Sequence, residues 1–248
     1  MLLSSRVLKE MSGLGFAATE LGAPGFLPES ADGITAELGS YGMTLLGAFT
    51  PFVFHQKPER ESALGVARET AQFLQRAGAT TLISSVVQDL GWSHPQPLSN
   101  NEMVHMAEMF DRVDDICQEF GLQQVLRPHV QTVVETKDDI SRVLDACDVG
   151  FCLDTGHMAF GGQDPVEFAR DAFDRVGHVH RKDIRLDMTA AGLRREISLM
   201  EATQEGISPH LVREMLTSRV LFRPSRRRDI AAGMSLNKTP PLPMAFLA

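Results

Sequence analysis

Apolar residues recur along this chain at two spacings. Val7, Leu8, Met11 and Leu14 fall three to four apart, one face of a helix, with Ser5 placed to cap its start and Gly15 to stop it. Beyond Phe16 the apolar residues come instead in short, nearly unbroken runs: "FAATELG", "MTLLGAFTPFVF", "ATTLISSVVQ", "QQVLRPHV", "VGFCLDTGH" and "VGHVHRKDIR". Between them lie amphipathic stretches at helical spacing: "GITAELGSYG", "ERESALGVARETAQFLQRAG", "NNEMVHMAEMFDRVDDICQEFG", "KDDISRVLDAC", "DPVEFARDAF" and a last one through Leu193–Met200. Strands that alternate with helices and carry no polar face are strands of a parallel sheet buried on both sides.

Six strands, each followed by a helix, predict an α/β protein and an incomplete (β/α)8 TIM barrel, with about six of the eight strands present. The chain opens inside a helix, which leaves a first strand unaccounted for, and its pattern stops where a last strand belongs. An open doubly wound sheet is the alternative; the Gly-rich phosphate loop usual after its first strand is absent from the sequence. No linker interrupts Phe16 to Arg185. The expected organisation is therefore one barrel domain over 1–206 and an irregular segment over 207–248.

Composition narrows the function. A net charge of −8 weighs against binding to phosphate backbones. The three cysteines, Cys117, Cys147 and Cys152, have no CxxC spacing and read as thiols of a reducing compartment. No apolar run approaches the roughly 20 residues of a membrane span, and "MLLSSRVLKEM" is too charged for a secretory signal. The expectation is a cytoplasmic protein with a small-molecule partner, no nucleic acid and no membrane.

In a parallel barrel the C-terminal ends of all strands meet on one face, where active sites lie. Those ends carry Glu20, His55, Gln88, His129 with Glu135 beyond it, Asp154 and His157 in "CLDTGH", and His178, His180, Lys182 and Asp183 in "HVHRKD". Carboxylates and imidazoles gathered at one mouth suit a divalent metal such as Mn²⁺, Co²⁺, Mg²⁺ or Zn²⁺. Each residue also has a plainer role: an Asp after a strand is commonly an N-cap, and a lone strand His is commonly structural. The set carries the argument, since polar groups facing an apolar interior at His178, His180 and Lys182 are costly unless used. His55, His94 and His105 are read as ordinary, and His210 lies in the irregular tail.

"MSGLGFAATELGAPGFLP", "RPHVQTVVET", "FCLDTGHMAFGGQDP" and "VGHVHRKDIR" resemble the xylose-isomerase-like TIM barrels, and most closely their sugar phosphate isomerase/epimerase branch, which includes inosose (2-keto-myo-inositol) dehydratase. The likeness spans roughly Val7 to Gly206. It implies metal-dependent isomerisation or epimerisation of a small sugar, sugar phosphate or polyol ketone through an enediolate, with dehydration of an inosose as the alternative outcome. It implies metal ligands at Glu135, Asp154 and His180, catalytic groups at Glu135, His157 and Lys182, and substrate contacts at Glu20, His129, His178, Asp183 and Arg185. Two departures stand out. The family often has Gly where this chain has Gln131, and the "EQD" segment that supplies a fourth metal ligand is absent. A DNA-repair endonuclease of the same superfold would need a basic groove, against which the net charge argues. A degenerate, non-catalytic barrel fragment is the remaining rival.

The missing segment bears on the tail. Read one nucleotide earlier, Leu236-Asn237-Lys238-Thr239 as CTG AAC AAG AC gives Glu-Gln-Asp. With permitted third bases, Asp229 to Lys238 shifts to "GYRGWYVPEQD", and Ser208 to Thr217 shifts to "FTPLGEGDVD". Both resemble the family's closing segments in their order. The expectation is a frameshift between about Gly206 and Ser208, with two strand edges left open to aggregation or self-association. Sequencing the locus decides it: codons that yield these two runs in the other frame are expected, and codons that forbid them overturn the reading.

Overall fold

The computed structural model describes residues 4–194 together with 196, 201 and 204–207. Its six strands are β1 (Ala18–Glu20), β2 (Thr44–Phe52), β3 (Thr81–Val86), β4 (Gln123–Leu126), β5 (Gly150–Asp154) and β6 (Val176–His180). They form one sheet in the order of the chain, every neighbouring pair parallel. All six expected strands exist, each shorter than its apolar run. The trimmed ends are the site loops: "RPHV" follows β4, and "RKDIR" follows β6.

The sheet curls. A flat sheet of six strands would hold β1 and β6 roughly 24 Å apart at about 4.8 Å per strand. Instead Glu20 at the end of β1 lies 2.9 Å from His178 and 2.6 Å from His180, both on β6. Six parallel strands thus make a curled part-barrel with the helices outside it, the incomplete (β/α)8 arrangement expected. Helices α1 (Ser4–Gly13), α2 (Ala31–Ser40), α3 (Arg60–Arg76), α4 (Asn100–Glu119) and α5 (Lys137–Ala146) pack their apolar faces on the sheet through Leu8, Ile34, Leu38, Leu74, Met106, Phe110, Val113 and Ile140. Inside the curl, Ile83, Val125 and Cys152 form a smaller buried cluster. None of the described helices is long and apolar enough to cross a membrane.

Helix starts are chemically fixed. Ser99 and Glu102 form a reciprocal capping box on α4, and Thr136 and Asp139 form one on α5. The second box matters to the site, because Asp139 also accepts the Glu135 N–H and so holds the backbone that carries Glu135. After β5 the chain turns at once into α6 (Thr155–Phe160) and then α7 (Pro165–Asp171), and α8 (Leu186–Leu193) follows β6.

Several expectations need correction. Ser5 lies within α1 rather than capping it. "TGH" is the first turn of α6, not strand, because Asp154 caps it. The last described helix precedes the expected Leu193–Met200, of which 195 and 197–200 lie outside the described residues. So does the tail from 208, frameshift reading included. Ile207, placed beyond the domain boundary, is buried with Val130 and Phe160, and its carbonyl accepts the Arg185 N–H at 2.8 Å. Packing thus continues one residue past that boundary.

Gln131, which stands where the family often has Gly, has φ +65°, in the left-handed region that a side chain disfavours. Gln131→Gly should therefore raise unfolding free energy by about 1 kcal/mol, the relief of a left-handed residue offset in part by glycine's chain entropy. Chemical denaturation checks this, and an unchanged or lower midpoint would show that the loop carries no such strain.

Candidate active site

Asp154 ends β5 and organises the mouth. Its side chain is wholly buried. Oδ1 accepts the N–H groups of Gly156 and His157, both at 3.1 Å, which caps α6. Oδ2 accepts from Arg127 Nε at 3.0 Å and Nη2 at 2.7 Å, and lies 3.1 Å from Lys182 Nζ and 3.4 Å from His180 Nδ1. The plainer role of the Asp, helix capping, thus takes one oxygen and leaves the other to Arg127, Lys182 and His180. Burial opposes the charge, but His157, His180, Lys182 and Arg127 hold the Asp154 carboxyl well below the usual range.

Arg127 was not singled out in the sequence. It leaves β4 directly after Leu126, is 9% exposed and lies 5.4 Å over the Phe49 ring. A charged residue immediately after an apolar strand was the signal that could have found it.

Lys182 lies just past β6, held by two hydrogen bonds between its backbone and the Thr155 hydroxyl, 2.7 and 2.8 Å. Gly156 makes this approach possible: a Cβ there would meet the Lys182 Cβ at 2.9 Å. Lys182 Nζ is 3.3 Å from His157 Nε2. Val130 donates its N–H to His157 Nδ1 at 3.3 Å, so the neutral ring carries its proton on Nε2, toward Lys182. Burial lowers the Lys182 pKa, with Asp154 pulling the other way and Arg127 adding to the fall. Burial likewise pushes His157 well below its ordinary value against the pull of Asp154. His129 stacks on His157 at 3.8 Å between ring centroids, and burial with the Arg127 charge pushes it down to about 3. Phe49 and Trp92 pack beside His129 as an aromatic wall.

On the other side of the mouth, Glu20 Oε1 bridges His178 and His180. Burial opposes ionisation of Glu20, but hydrogen bonds from the two histidines hold it down to about 2. Burial would lower His180 as well, yet Cys152, Asp154 and Glu20 push it up to about 11.

The other expected residues are placed less centrally. Glu135 is buried, and its Oε1 accepts the Gln131 N–H at 2.9 Å. Gly161 packs against the Glu135 carbonyl so closely that no side chain would fit there. Asp183 is buried just after Lys182. Arg185 turns to the exposed Asp187, 2.7 Å away. His55 is buried against Gln56 and Gln88, and His105 is buried in α4.

Of the expected ligand set, Asp154 ends β5, His180 ends β6 and Glu135 lies in the segment between β4 and α5. Both Asp154 oxygens are engaged, and an ion there would have to displace Arg127 or Lys182. Among the described residues, the three metal-type donors that come within 4.8 Å of one another are those of Cys152, His178 and His180. Cys152, read from the sequence only as a thiol, faces the same way as Asp154 on β5, two residues along, and pairs with His178.

The sequence profile of a family described as "Xylose isomerase-like TIM barrel" matches residues 8–215. The chain is 30% identical over 214 residues to an inosose dehydratase of Geobacillus kaustophilus, covering 82% of this chain and 69% of that protein. Among solved structures, it superposes on the IOLI protein with a bound zinc atom at TM-score 0.61 and 16% identity, covering 74% and 69% of the two chains. It also superposes on a D-allulose 3-epimerase from Methylomonas sp. at TM-score 0.56 and 17% identity, covering 73% and 66%. At these identities the structures speak for the fold alone.

The Glu20–histidine bridge has a pH signature. A carboxyl lowered from 4.5 to about 2 stabilises the fold fully above pH 4.5, and that contribution is lost as pH falls toward 2. A histidine raised from 6.5 to about 11 stabilises it fully below pH 6.5, and that is lost as pH rises toward 11. Thermal unfolding should show a stability plateau between pH 4.5 and 6.5 from these two groups. Glu20→Gln should lower the plateau and flatten its acid limb; an acid limb unchanged in that variant would remove Glu20 from the account.

Proposed function

Because the chain belongs to the xylose isomerase-like TIM barrel family, we propose that it enolises a small sugar or polyol ketone and returns the proton to give an isomer or epimer. The observation that carries this reading is the Lys182–His157 pair beside a buried, ion-paired Asp154 at the C-terminal ends of β5 and β6. Lys182 is 29% exposed at its side chain, whereas Asp154 is fully buried, so Lys182 is the group of this cluster that meets a substrate.

Lys182 Nζ, lowered in pKa by burial, takes the proton from the hydroxyl-bearing carbon next to the carbonyl. His157, neutral and carrying its proton on Nε2, donates to the carbonyl oxygen as electron density moves onto it. Arg127 and Lys182 supply positive charge to the enediolate in a site that water reaches poorly. Asp154 holds both cations in place and fixes the first turn of α6, which carries His157. Glu20, His178 and Asp183 face the opposite side as substrate contacts, and His129 with the Phe49–Trp92 wall covers the apolar face of a ring. Arg185, paired with Asp187, has a contact role only for a substrate that reaches the start of α8. Glu135 is an alternative proton acceptor on the β4 side. The metal-dependent form of this chemistry is what the resemblance implies; the standing cation at hand is Arg127, joined by Lys182 once it has taken the proton.

A second reading has its own support in the likeness to inosose dehydratase. The same enediolate, formed beside a β-hydroxyl, expels that hydroxyl as water instead of being reprotonated. Incubation with an inosose and with ketoses separates the two by product: a 1,2-diketone, released as its enol, or an isomer or epimer of the substrate.

Lys182→Met should lower kcat by about 10²–10⁴-fold, the usual worth of a positioned base. The base works unprotonated, so kcat/KM should rise with pH through a pKa below the ordinary 10.5 of lysine. Wild-type turnover retained in Lys182→Met, or a rate that falls as pH rises through that limb, would take the base role from Lys182.

A further inference from the structure

The segment between β3 and α4 is tied down at both ends and carries the tryptophan of the mouth. At its far end Leu98 is buried in the core, and its carbonyl accepts from Arg142 Nη2 at 3.0 Å. At its near end Gln88 packs on His55, which lies just past β2. Between these anchors residues 90–94 are exposed. Trp92, 39% exposed, rests on Phe49 and His129 with ring centroids 6.4 and 6.0 Å away. Its φ is +58°, in the left-handed region that a bulky side chain disfavours. Asp89 imposes that shape, because its Oδ1 accepts the N–H groups of Gly91 at 2.9 Å and Ser93 at 3.2 Å, on either side of Trp92. Such a conformation persists only while its surroundings dictate it.

The His55 end fixes a protonation state. Gln88 Oε1 accepts the Gln96 N–H at 2.9 Å, which turns the other end of that amide, Nε2, to His55 Nε2, 3.4 Å away. Gln56 Nε2 donates to the Gln88 carbonyl at 3.0 Å and lies 3.3 Å from the same His55 nitrogen. Two amide N–H groups directed at one ring nitrogen make that nitrogen an acceptor, so His55 is neutral with its proton on Nδ1. Nδ1 is buried and has no partner among the described residues. A second proton would set an N–H against two N–H donors. Neither amide can turn to receive it without losing the Gln96 N–H or the Gln88 carbonyl.

We propose that neutral His55 is a positioning residue that holds loop 88–98 over the mouth, and that protonation of its ring frees the loop and uncovers Trp92. The part given to Trp92, covering the ring of a substrate, rests on the proposed function. Burial pushes His55 below its ordinary value of 6.5; from α4, Glu102 pulls it up and His105 pushes it down. The Glu102 carboxylate is already engaged by the Ser99 N–H and hydroxyl in the capping box. The closed loop is therefore unopposed above pH 6.5 and grows less favoured as pH falls below it.

Trp92 is the one tryptophan of the chain, so its fluorescence reads the loop without any substrate. Quenching by acrylamide, an uncharged probe, is measured on the full-length chain between about pH 8 and about pH 5. Release from 39% exposure should raise the quenching constant about two- to threefold on acidification. The midpoint should lie below 6.5, with no change in far-ultraviolet circular dichroism. His55→Gln should remove the step, whereas His94→Gln, on the loop itself, and His105→Gln should retain it. Gln88→Met leaves His55 in place and cuts its link to the loop, so it should show the acid value already at about pH 8. That variant decides the matter if His55→Gln fails to fold. A wild-type quenching constant that does not change with pH would overturn the proposal. So would a step that survives in His55→Gln or vanishes in a folded His94→Gln or His105→Gln, or a Trp92 as sheltered in Gln88→Met as in the wild type. Enolisation that fails while the step is intact counts instead against the proposed function alone.

Discussion

A carboxylate with no access to water must be surrounded by donors or it does not ionise. Asp154 meets that demand with two backbone N–H groups, a guanidinium, an ammonium and an imidazole. Everything else at the mouth follows. Capping by Oδ1 starts α6 and thereby aims His157. Attraction to Oδ2 draws Arg127 from the end of β4 and Lys182 from beyond β6 to one point. Burial, joined by those two cations, then depresses the neighbouring imidazole His129 and keeps it neutral. The geometry that sets His157 beside Lys182 is a by-product of satisfying one buried charge.

The second constraint is curvature. Glu20 and the two β6 histidines meet only because the sheet curls, so the far edges of the six strands are tied across the interior by charge-assisted hydrogen bonds. That tie brings imidazoles and a carboxylate to the level of Cys152, below Asp154. The result is two layers in one barrel interior: an upper one where cations surround Asp154, and a lower one where the Glu20 carboxylate lies between two imidazoles near a buried thiol.

Much of this was legible in the residues. Continuous apolar runs separated by amphipathic stretches gave the parallel sheet and its order, because burial on both faces leaves no other pattern. The polar residues at strand ends, Glu20, Asp154, His157, His178, His180 and Lys182, do come together at one mouth. What the runs could not convey was where each strand stops. "TGH" and "RKDIR" continue directly from apolar runs, but Asp154 caps a helix at the first, and in the second the Lys182 backbone bonds the Thr155 hydroxyl instead of a neighbouring strand. Nor could spacing along one strand say which neighbour reaches a given carboxylate. Arg127 belongs to β4 and Asp154 to β5, and their pairing exists only across the curled sheet. For the same reason the thiol of Cys152 was read alone, without the two imidazoles that β6 sets against it.

The central claim is that this mouth moves a proton on the carbon next to a carbonyl. Deuterium exchange followed by NMR tests it without waiting for net turnover. The full-length chain is incubated in D2O with ketoses and with an inosose, and the carbon-bound hydrogens of the recovered substrate are counted. Deuterium appearing at the carbon adjacent to the carbonyl, faster than in buffer and suppressed in Lys182→Met, is the result the account predicts. A folded chain that leaves that hydrogen untouched in every one of these substrates would contradict it.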